Sequence, residues 1–306
     1  MLRLAHLSDI HVTAPGCRWR GRDWVNKRMS GWLNLRLLGR GPRFAHTDAV
    51  LKALRDDLRG QRVDHVIFSG DATALGFAEE TARAAELLGV GDLPGIAVPG
   101  NHDYFTHADT RAGHFEKHFA PWQHGERVAC EPAAACAAGS LGCGAAYPFA
   151  QRVGPLWLVG VNSAAPNFWP WDARGGVGAE QLVRLDALLP RLEGGPRVLV
   201  THYPVRLSDG RRESRTHGLR DLDALVDAAR RHRVALWLHG HRHRAYEHPA
   251  GDEAPFAHIC AGSATQRGLW SYRVYVIDGP HLTATRREYD PATGRFRDAS
   301  VFLTRL

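Results

Sequence analysis

The chain alternates between two hydrophobic periods. Short apolar runs of strand length are followed by stretches whose apolar positions recur every three or four residues, as on one face of a helix. "RLAHLS" (3–8) precedes "HTDAVLKALRDDL" (46–58), in which Ala49, Val50, Ala53, Leu54 and Leu58 fall at helical spacing. "VDHVIFSGD" precedes "GFAEETARAAELL", and "GIAVPGN" follows. "PLWLVGVNS" leads to "GAEQLVRLDALLPRL", "PRVLVTHYP" to "GLRDLDALVDAARRH", and "ALWLHGHRH" comes next. This β-α alternation predicts an α/β fold. The last sixty residues change to short strands separated by turn residues ("AYEHP", "AHICAGSA", "SYRVYVID", "LTATRREY"), which predicts antiparallel sheet attached to the same core. No repeat and no linker divides the chain, so one domain over 1–306 is expected.

Two stretches break the alternation, residues 17–44 and roughly 104–146. Both follow the C-terminal end of a strand, where α/β folds place their sites, so both are expected to rim or cap one.

Polar residues gather at those same strand ends. Strand one runs into Asp9 and His11, the next into Asp71, the next into Asn101, His102 and Asp103. A later one ends at His202, and "LHGHRHR" (238–244) carries His239, His241 and His243. Carboxylate, imidazole and amide oxygen without thiolate suit a two-metal hydrolytic site holding Mn, Fe or Zn. In Asp-x-His and His-x-His, the two side chains are expected on one face of an extended segment. Gly70, Gly100 and Gly240 precede the candidates and permit a sharp turn and close backbone approach.

Five motifs, D-x-H, G-D, G-N-H-D, H and G-H-x-H, occur in that order from residue 9 to 243. In this the chain resembles the calcineurin-like metallophosphoesterases. The resemblance implies a four-layer α-β-β-α sandwich of two mixed sheets. It implies two divalent cations that activate water for attack on a phosphodiester, phosphomonoester or pyrophosphate. Asp9, His11 and His243 would hold one cation and Asn101, His202 and His241 the other, with Asp71 between them. His102 would face the substrate and assist the leaving group. Asp103 is a second catalytic candidate, with orientation of His102 or a helix cap as its structural alternative. His239 precedes its glycine and is expected to be a hydrogen-bonded neighbour rather than a ligand. Ala72 stands where relatives carry Leu or Ile, a difference of packing. Some proteins of this fold have lost ligands and serve as binding scaffolds; here no expected ligand is missing.

The resemblance leaves the substrate open between two branches, cyclic-nucleotide phosphodiesterases and UDP-diacylglucosamine pyrophosphatases. Residues 17–44 interleave Trp19, Trp24, Trp32, Leu33, Leu35, Leu37 and Leu38 with Arg18, Arg20, Arg22, Lys27, Arg28, Arg36 and Arg40. Such a segment reads as a cap offering Arg to phosphate, or as an interfacial element on anionic lipid. At 100° per residue, Arg28 and Arg36 fall inside its apolar arc, so its amphipathicity is imperfect. "NFWPWDARGG" (167–176) adds aromatics near the expected mouth, able to stack a base or sit against an acyl chain.

Composition changes this picture little. The net charge is +7 and favours an anionic partner, here a small phosphoester. Nucleic acid is not expected, because little chain follows residue 243 to form a further DNA-binding or capping domain. "LRLAHLSDIHV" reads as a strand rather than a secretory leader, so a cytoplasmic location is expected, with peripheral contact at the inner face of a membrane through 17–44 as the alternative. The odd count of five Cys argues against a disulfide framework. Cys130, Cys136 and Cys143 lack CxxC spacing and read as idle loop thiols rather than a zinc knuckle.

Overall fold

The computed structural model describes residues 1–128, 146–251 and 254–306. Cys130, Cys136 and Cys143 lie outside these residues, as does most of the second half of the 104–146 insertion.

Along the chain run β1 (Leu2–Leu7), α1 (Lys27–Arg36), α2 (Arg40–Arg43), α3 (Thr47–Gly60), β2 (His65–Phe68), α4 (Ala78–Leu88), β3 (Gly95–Ala97), α5 (His107–Ala112) and α6 (His114–His118). There follow β4 (Phe149–Val153), β5 (Leu156–Gly160), α7 (Ala179–Leu188), β6 (Arg197–Val200), α8 (Leu222–Arg231), β7 (Leu236–His239), β8 (Tyr246–His248), β9 (Ala257–Cys260), β10 (Ser271–Asp278), β11 (His281–Asp290) and β12 (Arg295–Arg305).

The strands form two six-stranded mixed sheets, β12-β11-β10-β1-β2-β3 and β4-β5-β6-β7-β9-β8. β1, β2 and β3 are parallel, as are β5, β6, β7 and β9. The sequence-predicted C-terminal antiparallel sheet is divided between the two. β10, β11 and β12 extend the first sheet beyond β1, while β9 joins β7 in parallel and β8 closes the second sheet.

Side-chain alternation sorts the strands into layers. Ile67, Val198, Val200, Leu236 and Leu238 pack between the two sheets. Val66, Phe68 and Ala5 point outward to Leu51, Leu54 and Leu58 of α3 and Ala84 and Leu88 of α4. Leu199 and Trp237 face Leu185 and Leu188 of α7 and Leu225 and Ala228 of α8 on the other side. The result is the α-β-β-α order expected. In α3 the buried stripe is Val50, Leu51, Leu54 and Leu58, with Ala49 turned to solvent. The larger Leu51 takes the core position because it removes more apolar area from water. No helix among the described residues is long and apolar enough to cross a membrane.

Candidate metal centre

β1, β2, β3, β6 and β7 end at one edge of the sandwich, and the loops leaving them bring the predicted ligands together. His11 Nε2 and His243 Nε2 lie 3.0 Å apart, and His243 Nε2 is 3.3 Å from Asp9 Oδ1. Asp9, His11, Asp71 and His243 each offer a ligand atom within 4.8 Å of the others. A second group adjoins it. Asn101 Oδ1 is 3.2 Å from His202 Nε2 and 3.0 Å from His241 Nδ1, and those two nitrogens are 3.3 Å apart. One oxygen connects the groups: Asp71 Oδ2 lies 3.6 Å from His11 Nε2 and 3.4 Å from His202 Nε2.

The backbone achieves this by a route other than the expected one. Asp-x-His and His-x-His are not extended. Asp9, His11, Asp71, His241 and His243 all have φ between +42° and +72°, among seven such non-glycine residues in the described chain. Left-handed backbone costs a side-chain-bearing residue of order 1–3 kcal/mol and persists only where its surroundings impose it. Here it turns alternate side chains inward from a loop rather than a strand. Two glycines keep the loops in contact. A Cβ on Gly240 would sit 1.9 Å from Ser8 Oγ and 2.6 Å from Asp9 Oδ2, and one on Gly100 2.2 Å from Asp71 Oδ1.

Neighbouring groups orient the rings. His11 Nδ1–H donates to the Thr73 carbonyl (3.1 Å) and His202 Nδ1–H to the Ser69 carbonyl (2.8 Å), while His243 Nδ1 pairs with Gln266 Oε1. Each leaves Nε2 free to ligate. Burial, with Arg40 next, holds His11 well below the usual imidazole range, and burial, with His202 next, does the same for His241. Both therefore present neutral nitrogen. Burial opposes charge on His202, but Asp71 overcomes it and pushes the ring up to about 9. A cation binding there displaces that proton. Burial also opposes charge on Asp71, yet His202 and His102 hold its carboxyl well below the carboxylate range.

One buried atom fits the residues to a cation. Asp9 Oδ1 has no hydrogen-bond partner and points into the cluster beside His11 and His243. A buried carboxylate oxygen left without a donor is costly unless a cation completes it. The all-oxygen-and-nitrogen donor set suits divalent cations of intermediate softness.

His102 also faces this site. Its Nδ1–H donates to the Ala74 carbonyl (2.7 Å), which leaves Nε2 toward the cleft, 3.1 Å from Arg40 Nη2. Burial, with Arg40 next, pushes it down to about 3. Asp103 does not reach the cleft. Its carboxylate accepts N–H bonds from Gly100 (2.8 Å), Asp71 (2.9 Å), Ala72 (2.9 Å) and Thr73 (3.1 Å). It ties the loop after β2 to the loop after β3. Burial, with the Asp71 charge next, pushes it up to about 7. His239 lies on the far side of its strand. It is fully buried against Tyr246 and His258, with Nε2 unpartnered, so it is neither a ligand nor hydrogen-bonded to one.

The cleft over the cluster measures about 510 Å³. Asp71, Asn101, His102, His241 and His243 form part of its lining. Lys27, Leu38 and Arg40 enter from the 17–44 insertion, and Pro170, Trp171 and Ala173 from the 167–176 stretch. In the sequence Lys27 and Arg40 are two among many basic residues, and nothing in the local pattern separates them from Arg18 or Arg22.

A family model, calcineurin-like phosphoesterase, matches residues 2–245. The chain belongs to that family. The metallophosphoesterase is accordingly a hydrolase of phosphoric esters, with a cluster of Asp and His side chains that could hold a metal ion. Its fold is similar to that of a dimetal phosphatase from Danio rerio, with a TM-score of 0.63 at 13% identity over 99% of this chain and 98% of that one. It is also similar to GAP50, the anchor in the inner membrane complex of Plasmodium, with a TM-score of 0.54 at 10% identity over 100% and 88%. Comparison with the curated proteins finds no match.

Proposed function

We propose that the metallophosphoesterase hydrolyses a small phosphodiester of the cyclic-nucleotide kind. The observation that carries this reading is the join at Asp71 Oδ2, within 3.6 Å of one ligand group and 3.4 Å of the other, at the floor of an open cleft. Asp9, His11 and His243 hold one divalent ion, Asn101, His202 and His241 the second, and Asp71 lies between. Bound there, manganese, iron or zinc supplies Lewis acidity and activates water. His102 presents Nε2 to the leaving group. An anionic phosphate beside it raises its affinity for the proton it must deliver. Trp171, on the cleft lining and more than half exposed, offers a ring face for a base. The test is turnover, with each metal supplied, of cyclic AMP, bis-p-nitrophenyl phosphate and p-nitrophenyl phosphate. Preference for the two diesters supports the reading, and preference for the monoester removes it.

One observation favours a second reading. Leu37 and Leu38 on one rim, and Phe168, Trp169 and Trp171 on the other, are all more than half exposed. Trp169 and Trp171 stack with ring centroids 5.0 Å apart. An apolar mouth set among basic residues suits a lipid-borne pyrophosphate such as UDP-diacylglucosamine, met at an anionic membrane surface. Sedimentation with phosphatidylcholine vesicles, with and without phosphatidylglycerol, separates the two. Capture by the anionic vesicles at low salt favours the second reading, and none favours the first.

A further inference from the structure

Two side chains of the 17–44 insertion carry charge in unusual places. Arg28, on α1, is buried and completely engaged. Its Nη1 donates to Asp23 (2.6 Å), its Nη2 to both oxygens of Asp109 (2.6 Å each), and its Nε to the Leu75 carbonyl (3.1 Å). The guanidinium also lies over the Phe77 ring at 4.1 Å. Arg40, on α2, is the opposite case. It has no carboxylate within salt-bridge distance among the described residues, and its Nε is buried without a partner. Its Nη2 reaches His102 Nε2 (3.1 Å) and His11 Nδ1 (3.3 Å) inside the cleft. The guanidinium is held largely out of water, with the Asp71 and Asp9 charges near but beyond ion-pair distance, so it lacks the direct partner that an anion in the cleft would supply. It presents planar N–H donors suited to phosphate oxygen.

We propose that Arg40 is the chain's clamp on a non-bridging oxygen of the substrate phosphate, and that Arg28 is the positioning residue that holds it there. This rests on the reading of the cleft as a phosphoester site. Arg28 fixes the first turn of α1 to α5 through Asp109 and to the loop before α4 through Leu75. α1 then carries α2: a Cβ on Gly41 would meet the Leu35 carbonyl at 2.5 Å, so the two helices are seated without slack. Phe44, just after α2, presses its ring edge-on against His11, with centroids 4.9 Å apart. The guanidinium is thereby aimed between His11 and His102, where an oxygen of a phosphate bound over the cluster would lie. The clamp comes from the insertion and not from any of the five motifs. Its position is set by an ion-pair node on the opposite end of α1.

The test uses the metal-loaded full chain. Isothermal titration with inorganic phosphate, metal content, and kcat/KM on bis-p-nitrophenyl phosphate are measured for wild type, Arg40→Met, Arg28→Lys and the double variant. Asp109→Asn replaces Arg28→Lys if the latter does not fold. Arg40→Met is expected to weaken phosphate binding at least tenfold and lower kcat/KM about a hundredfold, the scale for losing one donor to a developing anion, with metal content unchanged. Arg28→Lys is expected to lower both partially. The double variant should be no worse than Arg40→Met alone, because one residue acts through the other. Wild-type phosphate affinity in Arg40→Met overturns the clamp. Losses that multiply in the double variant overturn the positioning role. A wild type that binds phosphate through Arg40 yet hydrolyses no ester supports the clamp and removes the hydrolase reading instead.

Discussion

Asp103 grips the backbone of Asp71, accepting its N–H at 2.9 Å while leaving the Asp71 carboxylate to face the cluster. Three further N–H groups converge on the same carboxylate, so the side chain acts as a clasp between two strand-end loops. Asp103→Asn turns an amide N–H₂ toward groups that are themselves donors. The expected cost is about 2 kcal/mol of stability or more, with metal affinity reduced about tenfold or more. Urea unfolding and metal titration check this; a variant unchanged in both would show the clasp to be idle.

Asp71→Asn removes the charge from the oxygen that both ligand groups approach. Turnover should fall about a thousandfold or more, with loss of at least one metal equivalent. Elemental analysis of the purified variant alongside its rate on bis-p-nitrophenyl phosphate decides it. Wild-type rate with full metal content would contradict the assignment.

His102→Ala should keep its metal. Nε2 of the ring faces the cleft while Nδ1 is tied to Ala74, so what is lost is proton delivery. Against an alkyl leaving group the rate should drop about a hundredfold or more, and against p-nitrophenol much less, since that oxygen departs without a proton. Equal losses on both would speak against an acid role.

The candidate ligands were legible because each closes a strand whose apolar run announces where it ends. What was not legible depends on partners distant in the chain. Arg28 falls in the apolar arc of its helix and made the segment look imperfectly amphipathic. It is buried there because Asp109, 81 residues on, meets it. Arg40 has the same local context as its exposed neighbours, and only the turn at Gly39 (φ 80°) sends it inward. His239 shares its spacing with two ligand candidates, but the chain leaves the strand at Gly240, so it stays on the sheet while they do not. β4 and β12 carried no clear signal. β12 is an edge strand with Val301 and Leu303 exposed, so its alternation is weak.

Acid should destabilise the fold through imidazoles buried neutral. His258 is one well away from the cluster. Burial, with His248 next, pushes it down from 6.5 to about 3, and its Nδ1 has no partner. Its folded value lies below its unfolded one. Its contribution is therefore fully present above about pH 6.5 and is lost as pH falls from there toward 3, because only the unfolded chain takes up the proton. Between pH 7 and pH 5 this amounts to about 2 kcal/mol. His258→Phe should shrink the wild-type difference in unfolding free energy between those two pH values by about that amount. An unchanged difference would mean the ring is already protonated or solvated.

The central claim is that two cations share Asp71. Anomalous diffraction from crystals of the full chain loaded with manganese tests it most directly. The prediction is two peaks, one among Asp9, His11 and His243 and one among Asn101, His202 and His241, with the Asp71 carboxylate between them. A single peak, or peaks away from these residues in a preparation that hydrolyses phosphoesters, would contradict it.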